Sequence, residues 1–309
     1  MAGAASQGEP GGRRIKAPRF ALAVPAWAWF VFFYAIPVLW IVYYSFGYKP
    51  SPFQVIATDR LSFDNYVEAL DPTFFRVFTG TLRISLLGTV LCLLIGFPFA
   101  YWLATRVSSR WKGLLLGLCI VPFWTNFLIR TIGWFILLTP EGPLFDVLHG
   151  IGLRDSPINF LDTAGAVQLG VVYNYLPLMI FPLFVALERL DPALREASKD
   201  LGASRFTTFR QVTVPLASPG IIAGLLLVFI PLTGDYITAL VLGGAKGNMV
   251  GNLVASQFLV GQNWPLGSAM AVMLILMIMA TVAVGAMVTL LVRLVLRSRK
   301  RFEIPGVTA

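Results

Sequence analysis

Six long apolar runs separated by shorter polar segments dominate the chain: residues 20–46, 81–105, 113–138, 165–187, 216–242 and 266–296. A helix crosses the hydrocarbon of a membrane with about 20 mostly apolar residues, and in lipid its backbone groups must be satisfied internally. Each run therefore predicts one spanning helix. The first and fourth carry no charge; the others hold only Arg83, Arg130, Asp235 and Arg293. The expected fold is all-α, a polytopic membrane protein with a tail at 1–19, a six-helix membrane domain at 20–296 and a second tail at 297–309. Composition agrees: 57% of residues are hydrophobic and 13% charged, where an ordinary soluble domain is about one quarter charged. The opening apolar run is too long for the core of a cleavable signal peptide.

An even number of spans puts both termini on one side, and the Lys/Arg bias of short loops identifies that side as cytoplasmic. With this orientation 17 basic residues fall inside and five outside. The net charge of +9 is thus a topological bias, and no nucleic-acid motif accompanies it. Outer loops hold eight acidic residues against those five basic ones, which attracts a cationic solute or simply solvates the loops. Cys92 and Cys119 fall within spans as packing residues, and His149 stands in an outer loop without ligand partners, so no metal site is expected. In outer loop 47–80, Ser62 or Asp64 opens a short helix ending near Asp71-Pro72, a lid or a brace with Phe63, Tyr66 and Leu70 on one side.

Inner loop 188–215 is the wettest stretch between spans. Asp191 before Pro192 opens a helix, Leu190, Leu194, Ala197 and Leu201 form one apolar stripe, and Gly202 stops it. A second helix runs from Ser204 to Val214, with Phe206 and Phe209 on one face and an end at Pro215. The loop contains no His, Cys or buried acid pair that would suit catalysis. Its shape suits docking against a partner, or merely the joining of two spans.

This stretch resembles the EAA loop of ABC-importer permeases, whose pattern is Glu-Ala-Ala, three residues, Gly, nine residues, Ile, one residue, Leu-Pro. Here it reads Glu196, Ala197, Ser198, then Gly202, then Val212, then Val214-Pro215. The segments "VPFWTNFLIRTIGW" (121–134) and "GGAKGNMVGN" (243–252) extend the resemblance to the membrane subunits of spermidine/putrescine-type importers. The resemblance implies a type I importer permease fold in a bacterial inner membrane, with a hairpin at 190–215 that couples to a separate ATPase through Glu196, Ala197, Gly202 and Pro215. It also implies two ATPase subunits, a second permease subunit, identical or homologous, and an extracytoplasmic solute-binding protein. ATP and Mg²⁺ would be bound by the ATPase, because "GGAKG" at 243–247 lacks the phosphate-loop spacing; the chain itself is then no enzyme and carries no cofactor.

Polar residues within the spans are candidates for the solute path. Asp235 either offers a carboxylate to an amine of the solute or forms an ion pair with Arg130, since intramembrane charges usually face a cavity or one another. Trp124 and Asn126 in the third run, and Tyr173 and Asn174 in the fourth, also suit a path lining. The two amides are stronger candidates than the aromatic residues, because an amide in lipid must find a partner. An importer of an opine, iron or an oxyanion would share the same hairpin. A secondary transporter would show inverted repeats and several mid-membrane carboxylates, whereas only Asp235 is present in a span.

Overall fold

The computed structural model describes residues 23–300 apart from 154, 155, 157, 158, 245 and 246. Of the expected tails, residues 1–19 and 301–309 lie outside the described residues, and 297–300 prolong the last helix. In chain order the helices are α1 (Val24–Tyr44), α2 (Asp64–Ala69), α3 (Pro72–Arg106), α4 (Ser109–Ile120), α5 (Phe127–Leu138), α6 (Pro143–Gly150), α7 (Ala164–Glu188), α8 (Pro192–Asp200), α9 (Arg205–Thr233), α10 (Val250–Leu259) and α11 (Trp264–Lys300). Five of these are long and apolar enough to cross a membrane: α1, α3, α7, α9 and α11. The sixth span, expected as one helix at 113–138, is broken between Trp124 and Phe127, and its two halves are bent by 89°.

Three spans build the core. α3 lies along α7, and α7 along α9, burying Cys92, Leu103, Val171, Met179, Leu183, Val228 and Leu232 completely. α1 and α11 sit at the edge. α1 touches α11 through its second half and presents Trp27, Trp29, Phe32 and Leu39 outward. Such an apolar exterior is expected where lipid or another membrane subunit replaces water.

Two prolines are accommodated inside long helices by the same local device. A proline removes one helical N–H, and its ring crowds the carbonyl four residues earlier. Pro37 follows a wide π turn at Val31–Ala35, and Pro215 follows another at Phe209–Thr213. Each π turn displaces the crowded carbonyl, that of Phe33 or Gln211, from the α-helical ladder. The second hairpin helix therefore does not end at Pro215 as the sequence suggests; it continues into the membrane as α9 to Thr233.

A second boundary also moves. α2 ends at Ala69, just before Asp71-Pro72 as expected, and the same pair opens α3, because Asp71 Oδ1 accepts from Thr73 N at 2.9 Å and proline fits the first turn. α3 consequently begins nine residues before the expected run at 81. Outer loop 47–80 acts as a brace. Asn65 Nδ2 donates to Ser45 O at 3.0 Å and Gly47 O at 2.7 Å, and the Tyr66 hydroxyl meets Ser45 Oγ at 2.6 Å. These bonds fasten α2 to the end of α1, while Ala69 packs with Leu266 and Met270 of α11.

Candidate functional site: a hairpin and a broken span

At one end of the bundle, α8 and the start of α9 form the hairpin the sequence predicts. Asp191 Oδ1 accepts from Ala193 N at 2.9 Å, capping the first helix above Pro192. Gly202 leaves that helix at φ +82°, a left-handed conformation that costs a side chain about 1–2 kcal/mol. Its N–H donates to Lys199 O at 2.8 Å, and Ala203 N donates to Ser198 O at 3.1 Å, the paired bonds of a Schellman stop. Ser204 Oγ then accepts from Thr207 N at 3.2 Å to cap α9.

The hairpin is tied to the bundle from one side only. Ser198 Oγ lies 3.1 Å from Thr208 Oγ1, joining its two helices at the place where the family pattern has a second alanine. Phe209 stands edge-on to Phe97 and Tyr101 of α3, with ring centroids 5.6 and 5.9 Å away. On the other side Leu201 is 89% and Phe206 71% exposed, with Ala197 exposed as well, while Glu196 is exposed at the rim of the space between the hairpin and α3. Glu196 makes no hydrogen bond or ion pair with the described residues; their sole ion pair is Lys112–Glu188 at 2.8 Å. Sequence reasoning missed Phe209 as an anchor to α3, since its helical spacing shows a face but not a partner.

At mid-membrane the structure rearranges the expected path. Pro122 lies in a single 3-10 turn at Val121–Trp124, Thr125 is extended, and Asn126 Oδ1 accepts from Leu128 N at 2.8 Å to start α5 afresh. Asn126 is thus the cap of a half-helix that begins within the span. Asn174 is 1% exposed on α7; its Nδ2 donates to Thr131 Oγ1 at 3.3 Å, and its Oδ1 is buried without a partner. Trp124 is 85% exposed, and Tyr173 stands edge-on to Trp134 of α5; neither hydrogen-bonds to Asn126 or Asn174.

Of the two roles the sequence left open for Asp235, the ion pair with Arg130 is not formed. α9 stops at Thr233, and Asp235, 6% exposed, begins the next turn of chain. Its Oδ1 accepts from Thr238 N at 3.0 Å and its Oδ2 from Thr238 Oγ1 at 2.6 Å, so the carboxylate, with both oxygens engaged, caps a short helical segment at 237–243. The spacing Asp-x-x-Thr was the available signal for this role. Arg130 Cζ lies 5.1 Å from the ring centre of Phe123 and 5.5 Å from that of Phe127, while its Nε and Nη1 are buried and unpartnered. The two aromatic faces supply the attraction that the carboxylate was expected to give.

The segment 243–252, of which 245 and 246 lie outside the described residues, packs against the same place. A Cβ on Gly251 would lie 2.5 Å from Gly234 O, so the start of α10 rests directly on the Gly234–Asp235 peptide. Val250 N also donates to Thr81 Oγ1 of α3 at 2.8 Å.

Residues 96–301 match the family described as binding-protein-dependent transport system inner membrane component. The chain is 42% identical over 246 residues to the spermidine/putrescine transport system permease protein PotB of Escherichia coli, covering 80% of this chain and 88% of that protein. It is equally identical to the PotB of Haemophilus influenzae, over 79% and 85% of the two chains. The inner membrane ABC transporter permease protein YdcU of E. coli is 31% identical over 84% of this chain and 86% of its own. Among solved structures, a chain of a bacterial ABC transporter for the acidic polysaccharide alginate superposes with a TM-score of 0.67 at 17% identity, over 87% of this chain and 93% of that one. A chain of the MetNI methionine ABC transporter, in inward-facing form, gives 0.54 over 71% and 96%. The fold, the capped hairpin and these matches lead to one assignment: the chain belongs to the family of binding-protein-dependent transport system inner membrane components.

Proposed function

We propose that the chain is one permease subunit of an ATP-driven importer of polyamines such as spermidine and putrescine, coupled to a separate ATPase through hairpin 190–215. The observation that carries this reading is the hairpin itself: every cap is internally satisfied, yet Leu201 and Phe206 face outward and Glu196 stays exposed, without a partner among the described residues. A rigid, outward-facing helix pair suits a groove in another protein. The charge bias of the loops supports a cytoplasmic position for it, where ATP and Mg²⁺ are available to that partner. The polyamine assignment is supported by the two relatives at 42% identity and the acidic excess of the outer loops.

Movement of the hairpin would reach the membrane by two routes. One is continuous helix, since α9 runs unbroken from Arg205 to Thr233, two residues before Asp235. The other is Phe209, whose edge contacts carry displacement to α3. Both routes converge on spans that can repack as rigid bodies between inward- and outward-open states. The path is formed with a second permease and a solute-binding protein delivers the solute from outside; exposed Trp124, two residues before the half-helix start at Asn126, suits that shared surface. Arg130, with two unpartnered N–H groups, favours a second reading in which the solute is an anion.

The test is uptake of labelled spermidine in cells lacking their own polyamine importers, with this chain expressed beside its ATPase, second permease and binding protein. Uptake is expected, unlabelled putrescine should compete while an oxyanion should not, and Glu196→Arg should abolish uptake with the protein still present in the membrane. Failure of any ATPase to co-purify, together with normal uptake by Glu196→Arg, would defeat the coupling role. Competition by oxyanions alone would select the second reading.

A further inference from the structure

Between the hairpin and the end of α3 lies a cavity of about 370 Å³. Arg106, the last residue of α3, faces it together with Arg195 and Lys199 of α8 and Arg205 at the start of α9; Glu196 is the only acid on its rim. None of these five side chains makes a hydrogen bond or ion pair with a described residue. Tyr101 and Phe209 form its apolar floor. Four cations around one space repel each other, and a bundle leaves them so only where water or an anion screens them.

The cavity lies on a different face of α8 from the docking stripe. Pro192, Arg195, Glu196 and Lys199 follow one helical face, whereas Leu194, Ala197 and Leu201 follow another. Glu196 is the cavity residue that adjoins Ala197 of that stripe, so an ATPase seated on the stripe meets Glu196 at the rim and leaves the rest of the cavity open. Its depth is marked by Trp102, 46% exposed on the last turn of α3, and Trp111, 52% exposed on the first turn of α4. Exposed tryptophans at span ends lie at the headgroup level of a membrane, and basic pockets between spans on the cytoplasmic side receive phosphate headgroups. The volume is many times the roughly 10–15 Å³ that one water needs by the same measure, more room than a single partner carboxylate fills.

We propose that this cavity binds the phosphodiester headgroup of an anionic phospholipid of the inner leaflet, held by Arg106, Arg195, Lys199 and Arg205. The inference rests on the cytoplasmic placement of the hairpin but not on the identity of the solute. Neutralised by a phosphate, Arg195 and Lys199 no longer draw Glu196 inward, and it stays free for the coupling contact.

The whole transporter, with its ATPase and second permease, is reconstituted in nanodiscs of phosphatidylcholine with or without phosphatidylglycerol. Lipid retained by the complex is counted by native mass spectrometry. The wild type should keep phosphatidylglycerol in preference to phosphatidylcholine. Arg106→Gln with Arg205→Gln should hold it roughly thirtyfold less, given the contribution of each basic residue near an anionic surface, and Arg106→Lys with Arg205→Lys should hold it nearly as well as the wild type. If the double glutamine variant does not assemble, Arg106→Gln alone leaves the hairpin untouched and should lower retention about fivefold. The proposal is overturned if phosphatidylglycerol is kept no better than phosphatidylcholine, or equally by wild type and glutamine variants. It is also overturned if millimolar inorganic phosphate saturates the cavity in place of the lipid, or if cross-linking finds an ATPase carboxylate among the four cations.

Discussion

The hairpin at 190–215 and the broken span at 121–138 are both interruptions of helix, and they are built in opposite ways. In the hairpin each turn is closed by a residue two to five positions away: Asp191 on Ala193, Ala203 on Ser198, Ser204 on Thr207. What it leaves unpartnered is charge and apolar surface facing outward. In the broken span the half-helix is started locally by Asn126, but the polar groups around it meet residues from elsewhere in the chain. Asn174 of α7 meets Thr131 of α5, and Arg130 is left with buried N–H groups that have no partner. A locally closed element is rigid and suits transmission of force. Unsatisfied polar groups at mid-membrane are costly, and such costs concentrate where a protein binds solute or changes state.

The comparison predicts that damage near the broken span appears first as lost protein, and damage in the hairpin as lost coupling. The largest effect is expected for Gly251→Val. Its Cβ would strike backbone at Gly234 O, so the start of α10 must lift from the Asp235 turn, at a cost of about 1–3 kcal/mol or more. Membrane abundance and melting temperature in detergent should both fall; unchanged values would show that α10 is not seated as described. Gly202→Val is the hairpin counterpart. No atom lies within 4 Å of the added Cβ, and the strain is confined to a φ of +82°, about 1–2 kcal/mol of local cost. Melting should scarcely move, while co-purification with the ATPase and uptake should drop. A melting loss as large as that of Gly251→Val would erase the proposed division of labour.

The smallest effect on stability separates two roles of Asp235. Asp235→Asn keeps an oxygen to accept from Thr238 N, so its abundance should stay near normal, whereas Asp235→Ala loses the cap at about 1 kcal/mol. If both lower uptake at equal abundance, the charge serves the solute as well as the turn. If Asp235→Asn transports normally, the residue is a cap alone.

Much of this was legible along the chain because it depends on local chemistry. Three spans fall close to their expected ranges, 165–187 against Ala164–Glu188 most nearly, since length and apolarity suffice to define a membrane helix. Asp191-Pro192, Gly202 and Ser204 act as the helix signals predict, because capping involves only neighbours along the chain. Two local signals were ambiguous. Asp71-Pro72 can close one helix or open the next, and Pro215 ends a helix unless a π turn makes room for it.

The sequence by itself determined the number and kind of spans, the orienting charge bias and the hairpin with its turn. Tertiary structure alone decided that the third span breaks by 89° at Asn126 and that Arg130 lies against Phe123 and Phe127. It also decided that Asp235 caps its own turn and that four cations of 106–205 share one cavity. The physical reason is reach. Caps, turns and apolar runs are settled within one or two helical turns, whereas the partner of a long charged side chain depends on which helices pack beside it and how far they bend.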